Sequence, residues 1–261
     1  MKKATFLILL SSALITVCST DGGDKGIAFE KVKVERSLAI SDSKDAPHCS
    51  VTLEIDQAKM PSESEQSTKE HGVERLINET VVNRLFDMKG LTPKAAADSF
   101  ANQYTRDYRK NLAALYREDA SDPTKRPWYE YSYSVTTETR HGADGITSYL
   151  IHLNYYEGGA HGVSQLLVLN FDDKTGRCLT VADIFDDKGQ QELPGKLLKA
   201  LLAKTGEDDL ESLRQRGYLY SMEMFVPENF IVDDDEVTFV FNPYEIAPYS
   251  EGIIELRVKR E

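Results

Sequence analysis

The run Tyr155-Tyr156-Glu157-Gly158-Gly159-Ala160-His161-Gly162 constrains this chain more than any other segment. It lies between two stretches of alternating apolar residues, Tyr149, Ile151, Leu153 and Tyr155 before it and Leu167, Leu169 and Phe171 after it. Three glycines and one histidine within eight residues demand a tight reversal of the backbone, with a polar ring held at the bend. The run follows one strand-like stretch and leads into another.

Alternation of the same kind recurs along the chain. Val32 and Val34 alternate with Lys31, Lys33 and Glu35, and Val51, Leu53 and Ile55 alternate with Thr52, Glu54 and Asp56. Both patterns predict half-buried strands. Tyr129, Tyr131, Tyr133 and Val135 form a further strand, joined to residues 149–155 by a turn at His141-Gly142-Ala143-Asp144-Gly145. Val237, Phe239 and Phe241, then Ile254, Leu256 and Val258, add strands near the C-terminus. Polar loops are expected at Ser41 to His48 and Pro61 to Lys69, a turn at Asp172 to Gly176, and a short connector at Thr180 to Phe185.

Between the strands the period changes. Val73, Ile77, Val81 and Leu85 recur every four residues, and Gly90 is expected to end that helix. Thr92-Pro93 reads as a cap followed by proline in the first helical turn, and the stripe Ala97, Phe100, Tyr104, Tyr108, Leu112 and Leu115 follows. Leu193, Leu197 and Leu201 line a later helix stopped by Gly206, and a short one carries Leu210 and Leu213. Helices cluster instead of alternating with every strand. The fold class expected is therefore α+β, with largely antiparallel sheets packed against several helices.

The N-terminus reads as an export signal. Lys2 and Lys3 precede an apolar stretch, Ala4 to Val17, then Cys18 and the polar run Ser19 to Asp24. The stretch is the length of a signal core and short for a membrane span. A cysteine at that boundary is the signature of a lipoprotein whose Cys18 is lipidated after cleavage. Val17 departs from the pattern, since a small residue is usual there, and ordinary secretion and an uncleaved anchor are the alternatives. The organisation expected is a signal at 1–18, a tether at 19–27, and regions at 28–154 and 155–261 that share one core. The protein would then be lipid-anchored in the cell envelope, periplasmic or surface-facing.

A net charge of -12 disfavours nucleic acid and anionic lipid and favours basic partners, although solubility alone also accounts for it. Beyond Cys18 only Cys49 and Cys178 remain. They are free to pair in an exported protein or to stay as two buried thiols.

The five histidines, His48, His71, His141, His152 and His161, show no metal-binding spacing, and no serine stands in a GxSxG elbow. No phosphate-binding or dinucleotide loop occurs, so neither metal nor cofactor is expected. His161 with Glu157 four residues before it is the best acid–base pair, against the plainer reading that the ring fixes its turn. Asp233-Asp234-Asp235-Glu236 lacks the spacing of a calcium loop and reads as a solvated hairpin tip. Asn242-Pro243-Tyr244-Glu245-Ile246-Ala247-Pro248-Tyr249 is stiffened by two prolines and carries two tyrosines, which suits protein recognition as well as a connector plugging the core edge.

Three segments occur in order: the glycine-rich run, Asn170-Phe171-Asp172-Asp173-Lys174-Thr175-Gly176 with Leu179 and Asp183-Ile184-Phe185, and Asn242 to Tyr249. Together they resemble the C-terminal domain of the RsiV family, over about residues 155–258. Residues 28–154 resemble, by order and pattern, the domain that precedes it there and in PdaC polysaccharide deacetylases. The best-characterised RsiV-family member is an anti-sigma factor whose extracellular domain binds lysozyme. The resemblance implies a mixed α/β exported domain that binds a protein or a wall glycan. No internal membrane span, sigma-binding segment or deacetylase domain is seen in this sequence, so those activities do not carry over.

The expected function is a non-catalytic binding module for a basic, lysozyme-type muramidase or for peptidoglycan. The proposed contacts are Tyr156, Glu157, Gly158, Gly159, His161, Tyr244, Glu245 and Tyr249. A wall hydrolase using His161 with an acidic partner, and a scaffold subunit of an envelope complex, are the alternatives.

Overall fold

The computed structural model describes residues 26–60, 72–143 and 145–260. The expected signal with Cys18, most of the tether, the loop Pro61 to Lys69 and His71 lie outside the described residues. The class is the expected one: mixed α and β, with two sheets and one parallel pairing among antiparallel ones.

Strands β1 (Phe29–Ala39) and β2 (His48–Ala58) form a hairpin. The chain then crosses through helices α1 (Gly72–Phe86) and α2 (Pro93–Asp119) and returns as β3 (Tyr131–Ala143), parallel to β2. Strands β4 (Ile146–Glu157), β5 (Val163–Asp172) and the two-residue β6 (Cys178–Leu179) continue as a meander. The sheet order is β1-β2-β3-β4-β5-β6. Helices α3 (Val181–Ile184), α4 (Asp187–Thr205) and α5 (Leu210–Gln215) lead to a second antiparallel sheet of β7 (Phe230–Val232), β8 (Glu236–Phe241) and β9 (Ile254–Lys259).

Local chemistry fixes the helices. The Thr92 hydroxyl accepts from the Ala95 amide and Pro93 fills the first turn, as the sequence predicts. Helix α1 ends earlier than expected, at Phe86, where Asp87 itself takes the left-handed conformation (φ 51°). Leu193, Leu197 and Leu201 of α4 are fully buried, and Gly206 caps the helix at φ 73°, its amide donating to the Leu202 carbonyl. The connector Thr180 to Phe185 is a helical turn: Asp183 accepts from the Thr180 amide and hydroxyl and pairs with Arg177. These bonds hold the Asp183 carboxyl well below the usual carboxylate range, the Arg177 hydrogen bond being the largest influence.

One core lies between α1, α2 and the first sheet, with Val51, Leu53, Ile55, Ile77, Val81 and Ala97 at its centre. A second joins α4 to the small sheet through Leu197, Leu201, Phe239 and Leu256. A third, of Leu150, Leu166, Val168, Ile231 and Val240, lies between the two sheets. The boundary expected near 154 falls within β4, and that strand corrects one reading. Alternation suggested one wet face, yet Ile146 to Ile151 are buried throughout, because the small sheet covers the side opposite the helices. Cys49 is buried, Cys178 is partly buried, and both are free thiols.

Three asparagines join the sheets. Beyond the short β6, the outer edge of β5 has backbone groups without a strand partner. The Asn242 side chain donates to the Leu166 carbonyl (3.1 Å) and accepts from the Leu166 amide (2.8 Å). The Asn229 side-chain oxygen accepts from the Val168 amide (3.2 Å). Asn170 donates to the Phe230 carbonyl (2.8 Å) and accepts from the Ser148 hydroxyl (2.7 Å). All three asparagines are buried. An unpaired buried amide or carbonyl costs about 1–3 kcal/mol, so these contacts decide whether the sheets can meet. Asn242→Ala, which strands both Leu166 groups, is expected to lower stability by about 2–4 kcal/mol in urea unfolding. A change under about 0.5 kcal/mol would mean that the edge is satisfied in another way.

Candidate functional site

The two loops singled out in the sequence meet at one end of the sheets. The β4–β5 bend depends on its glycines: Gly158 and Gly159 have φ of 79° and 97°, where side chains are strained. A Cβ on Gly158 would also lie 2.6 Å from the Trp128 carbonyl oxygen. Asn242, locked to β5, starts the second loop beside this bend.

The carbonyl of Gly162 is the point where the loops join. It accepts from the Tyr249 hydroxyl (2.7 Å) and from Nδ1 of His161 (2.9 Å). Because a carbonyl only accepts, Nδ1 carries the ring proton. In the neutral ring, Nε2 then accepts from the Tyr244 hydroxyl (3.3 Å). The His161 and Tyr249 rings stack at 4.1 Å and 20°. Tyr244 is 65% exposed, and its backbone is left-handed (φ 73°), which costs a non-glycine residue about 1–2 kcal/mol. The half-exposed Trp128 lies along the same bend, and Tyr156 donates to the Gly159 carbonyl (2.9 Å).

The structure thus groups His161, Tyr244, Tyr249, Tyr156, Gly158 and Gly159, and separates two other expected contacts. The Glu157 carboxylate does not reach His161; it accepts from the Tyr104 hydroxyl (2.6 Å). Successive side chains leave a strand on opposite faces, and Glu157 shares the helix-facing side with Tyr155. Glu245 folds back so that its carboxylate accepts from the Asn242 amide (2.7 Å), closing its own turn. Trp128 and the three asparagines were not singled out as site or docking residues. Asn170 and Asn242 stand inside the segments that carry the resemblance, which was the available signal.

Among the described residues, no group of three histidine, cysteine, aspartate or glutamate side chains could hold a metal ion. No described helix is long and apolar enough to cross a membrane. The patch offers aromatic rings and hydroxyls, with both ring nitrogens of His161 engaged in hydrogen bonds.

The C-terminal part, residues 182–261, matches the model of a family described as a protein of unknown function, DUF3298. A crystal structure of a DUF3298 family member from Bacteroides fragilis is 25% identical to this chain, covers 90% of it and 91% of that chain, and superposes with a TM-score of 0.78. A DUF3298 family protein from Pseudomonas aeruginosa has the same fold at 17% identity, with coverage of 90% and 92% and a TM-score of 0.55. No curated protein matches this chain.

Two predictions follow from the geometry. Gly158→Ala meets both strain and a backbone clash, whereas Gly159→Ala meets strain in open space. Thermal unfolding should show a loss of about 1–2 kcal/mol for Gly159→Ala and clearly more for Gly158→Ala. Equal losses would refute the contact with Trp128. The second prediction concerns alkaline pH. Burial, followed by the Glu157 charge, pushes the Tyr133 phenol up to about 12, and burial with the Glu157 hydrogen bond raises Tyr104 further. Folded values above the unfolded value of about 10 mean stability that is intact below pH 10 and lost as pH rises beyond it. Urea unfolding at pH 9 and 11 should show this loss, and Tyr104→Phe should reduce it.

Proposed function

We propose that this protein is an exported, lipid-anchored binding module of the cell envelope, of RsiV type, that recognises a protein through the patch of His161, Tyr244, Tyr249, Tyr156 and Trp128. A lysozyme-type muramidase is the ligand to test first. One observation carries the reading: loops far apart in sequence converge on the Gly162 carbonyl, leaving Tyr244 strained and largely exposed. Backbone strain beneath an exposed ring is of the kind that collects at contact sites, and it supports this reading. Rigid tyrosine and tryptophan faces give large contact area with little loss of conformational freedom. The net charge of -12 suits a basic partner. A hydrolase reading loses its nearest acid, since Glu157 is bound to Tyr104 instead of His161.

Titration calorimetry against a c-type lysozyme tests the proposal, with residual muramidase activity read in parallel. Binding at micromolar strength or tighter is expected, weakening as salt rises. Tyr244→Gly should relieve the left-handed backbone, leave stability close to wild type, and still weaken binding about tenfold or more. Absence of both heat and inhibition would remove lysozyme as the ligand. An unchanged affinity in Tyr244→Gly would move the contact elsewhere.

A further inference from the structure

A cleft of about 240 Å³ opens on the other side of β4, between α2 and the ends of β3 and β4. It is lined by Tyr104, Tyr108, Tyr131 and Leu112, and the Tyr108 and Tyr131 rings pack on each other at 5.2 Å. Two carboxylates line it, Asp107 on α2 and Glu157 on β4, and no lysine or arginine does. Tyr131 and Glu157 stand directly opposite one another in the β3–β4 register, so the cleft is framed by paired strands instead of a loose loop.

The polar groups of this cleft are unevenly satisfied. Tyr108 donates to the Tyr129 carbonyl (2.7 Å), and Tyr104 donates to one oxygen of Glu157. The other Glu157 oxygen has no hydrogen bond among the described residues. Asp107 is half-buried and has neither a hydrogen bond nor an ion pair among the described residues. Tyrosine rings attract a cation through the ring quadrupole, and the carboxylates attract it by charge, that of half-buried Asp107 less screened by solvent than that of exposed Glu157. The apolar wall supplied by Leu112 and the tyrosine rings matches a methylene stem.

We infer that this cleft binds a single cationic group on an apolar stem, either the end of an arginine or lysine side chain or a free small cation of the same form. It is separate from the aromatic patch, since Tyr156 and Glu157 leave β4 on opposite faces. The inference therefore does not depend on lysozyme as a ligand.

The test is a titration of the full protein with n-butylguanidinium, read from the tyrosine ring signals in NMR spectra. Its neutral counterpart n-butylurea serves as control. The cation should shift the Tyr104, Tyr108 and Tyr131 signals, and the urea should leave them unmoved. Glu157→Gln combined with Asp107→Asn should weaken the cation about tenfold or more, while the glutamine still accepts from Tyr104. Should the double variant unfold, Asp107→Asn alone carries the test, since it removes no contact, with a loss of about threefold expected. A blocked Gly-Arg-Gly peptide run alongside assigns the source: tighter binding than n-butylguanidinium marks a protein side chain, and weaker binding marks a free cation. Equal shifts with n-butylurea, no shift with either cation, or unchanged affinity in the variants would overturn the inference. So would an N-acetylglucosamine oligomer that shifts these signals when the cation does not.

Discussion

The free edge of β5 is the constraint on which the rest of the molecule depends. A strand inside a protein cannot leave its amides and carbonyls unpaired, and β6 covers only residues 170 and 171 of β5. At Leu166 and Val168 the partners are the side chains of Asn242 and Asn229, which flank the strands of the second sheet. An asparagine can donate and accept at once, so Asn242 stands in for a strand residue opposite Leu166. Leu150, Leu166 and Val168 then close on Ile231 and Val240. Docking of the small sheet in this way brings the chain after Asn242 alongside the glycine bend, and the aromatic patch results from that docking.

Much of the fold is legible in the sequence because it is local. Alternation gave β1 to β5 and β8 to β9, since a strand with a buried side repeats every two residues whatever lies elsewhere. Thr92-Pro93 and Gly206 marked helix ends because capping involves only neighbours along the chain. Thr180 to Phe185 was harder: the helical turn there is held by Asp183, whose partner Arg177 lies outside the segment. The second buried side of β4 was not legible at all, because it is covered by residues of β7 and β8. Ser148, a polar residue beside that alternation, is fully buried against Asn170.

The site was legible in the same uneven way. Both loops were visible as unusual stretches of glycine, proline and tyrosine. Their meeting was not, since it depends on Tyr249 reaching the carbonyl of Gly162. The Glu157–His161 pairing failed for a simple geometric reason. Glu157 is still a strand residue that points to the helices, whereas His161 lies past the bend. Sequence separation of four suggests proximity on a helix, but on a strand and its turn it says little. Tyr104, from a helix remote in the chain, is the partner that Glu157 finds instead.

The chain holds a single tryptophan, Trp128. It is half-exposed, and its carbonyl abuts Gly158 at the rim of the patch. Its indole emission therefore comes from one residue, whose backbone packs against the bend that joins the two loops. Anything that settles over that residue and dries it would change the colour and yield of the emission. The protein thus carries its own optical gauge of surface occupancy, without a label or an engineered residue.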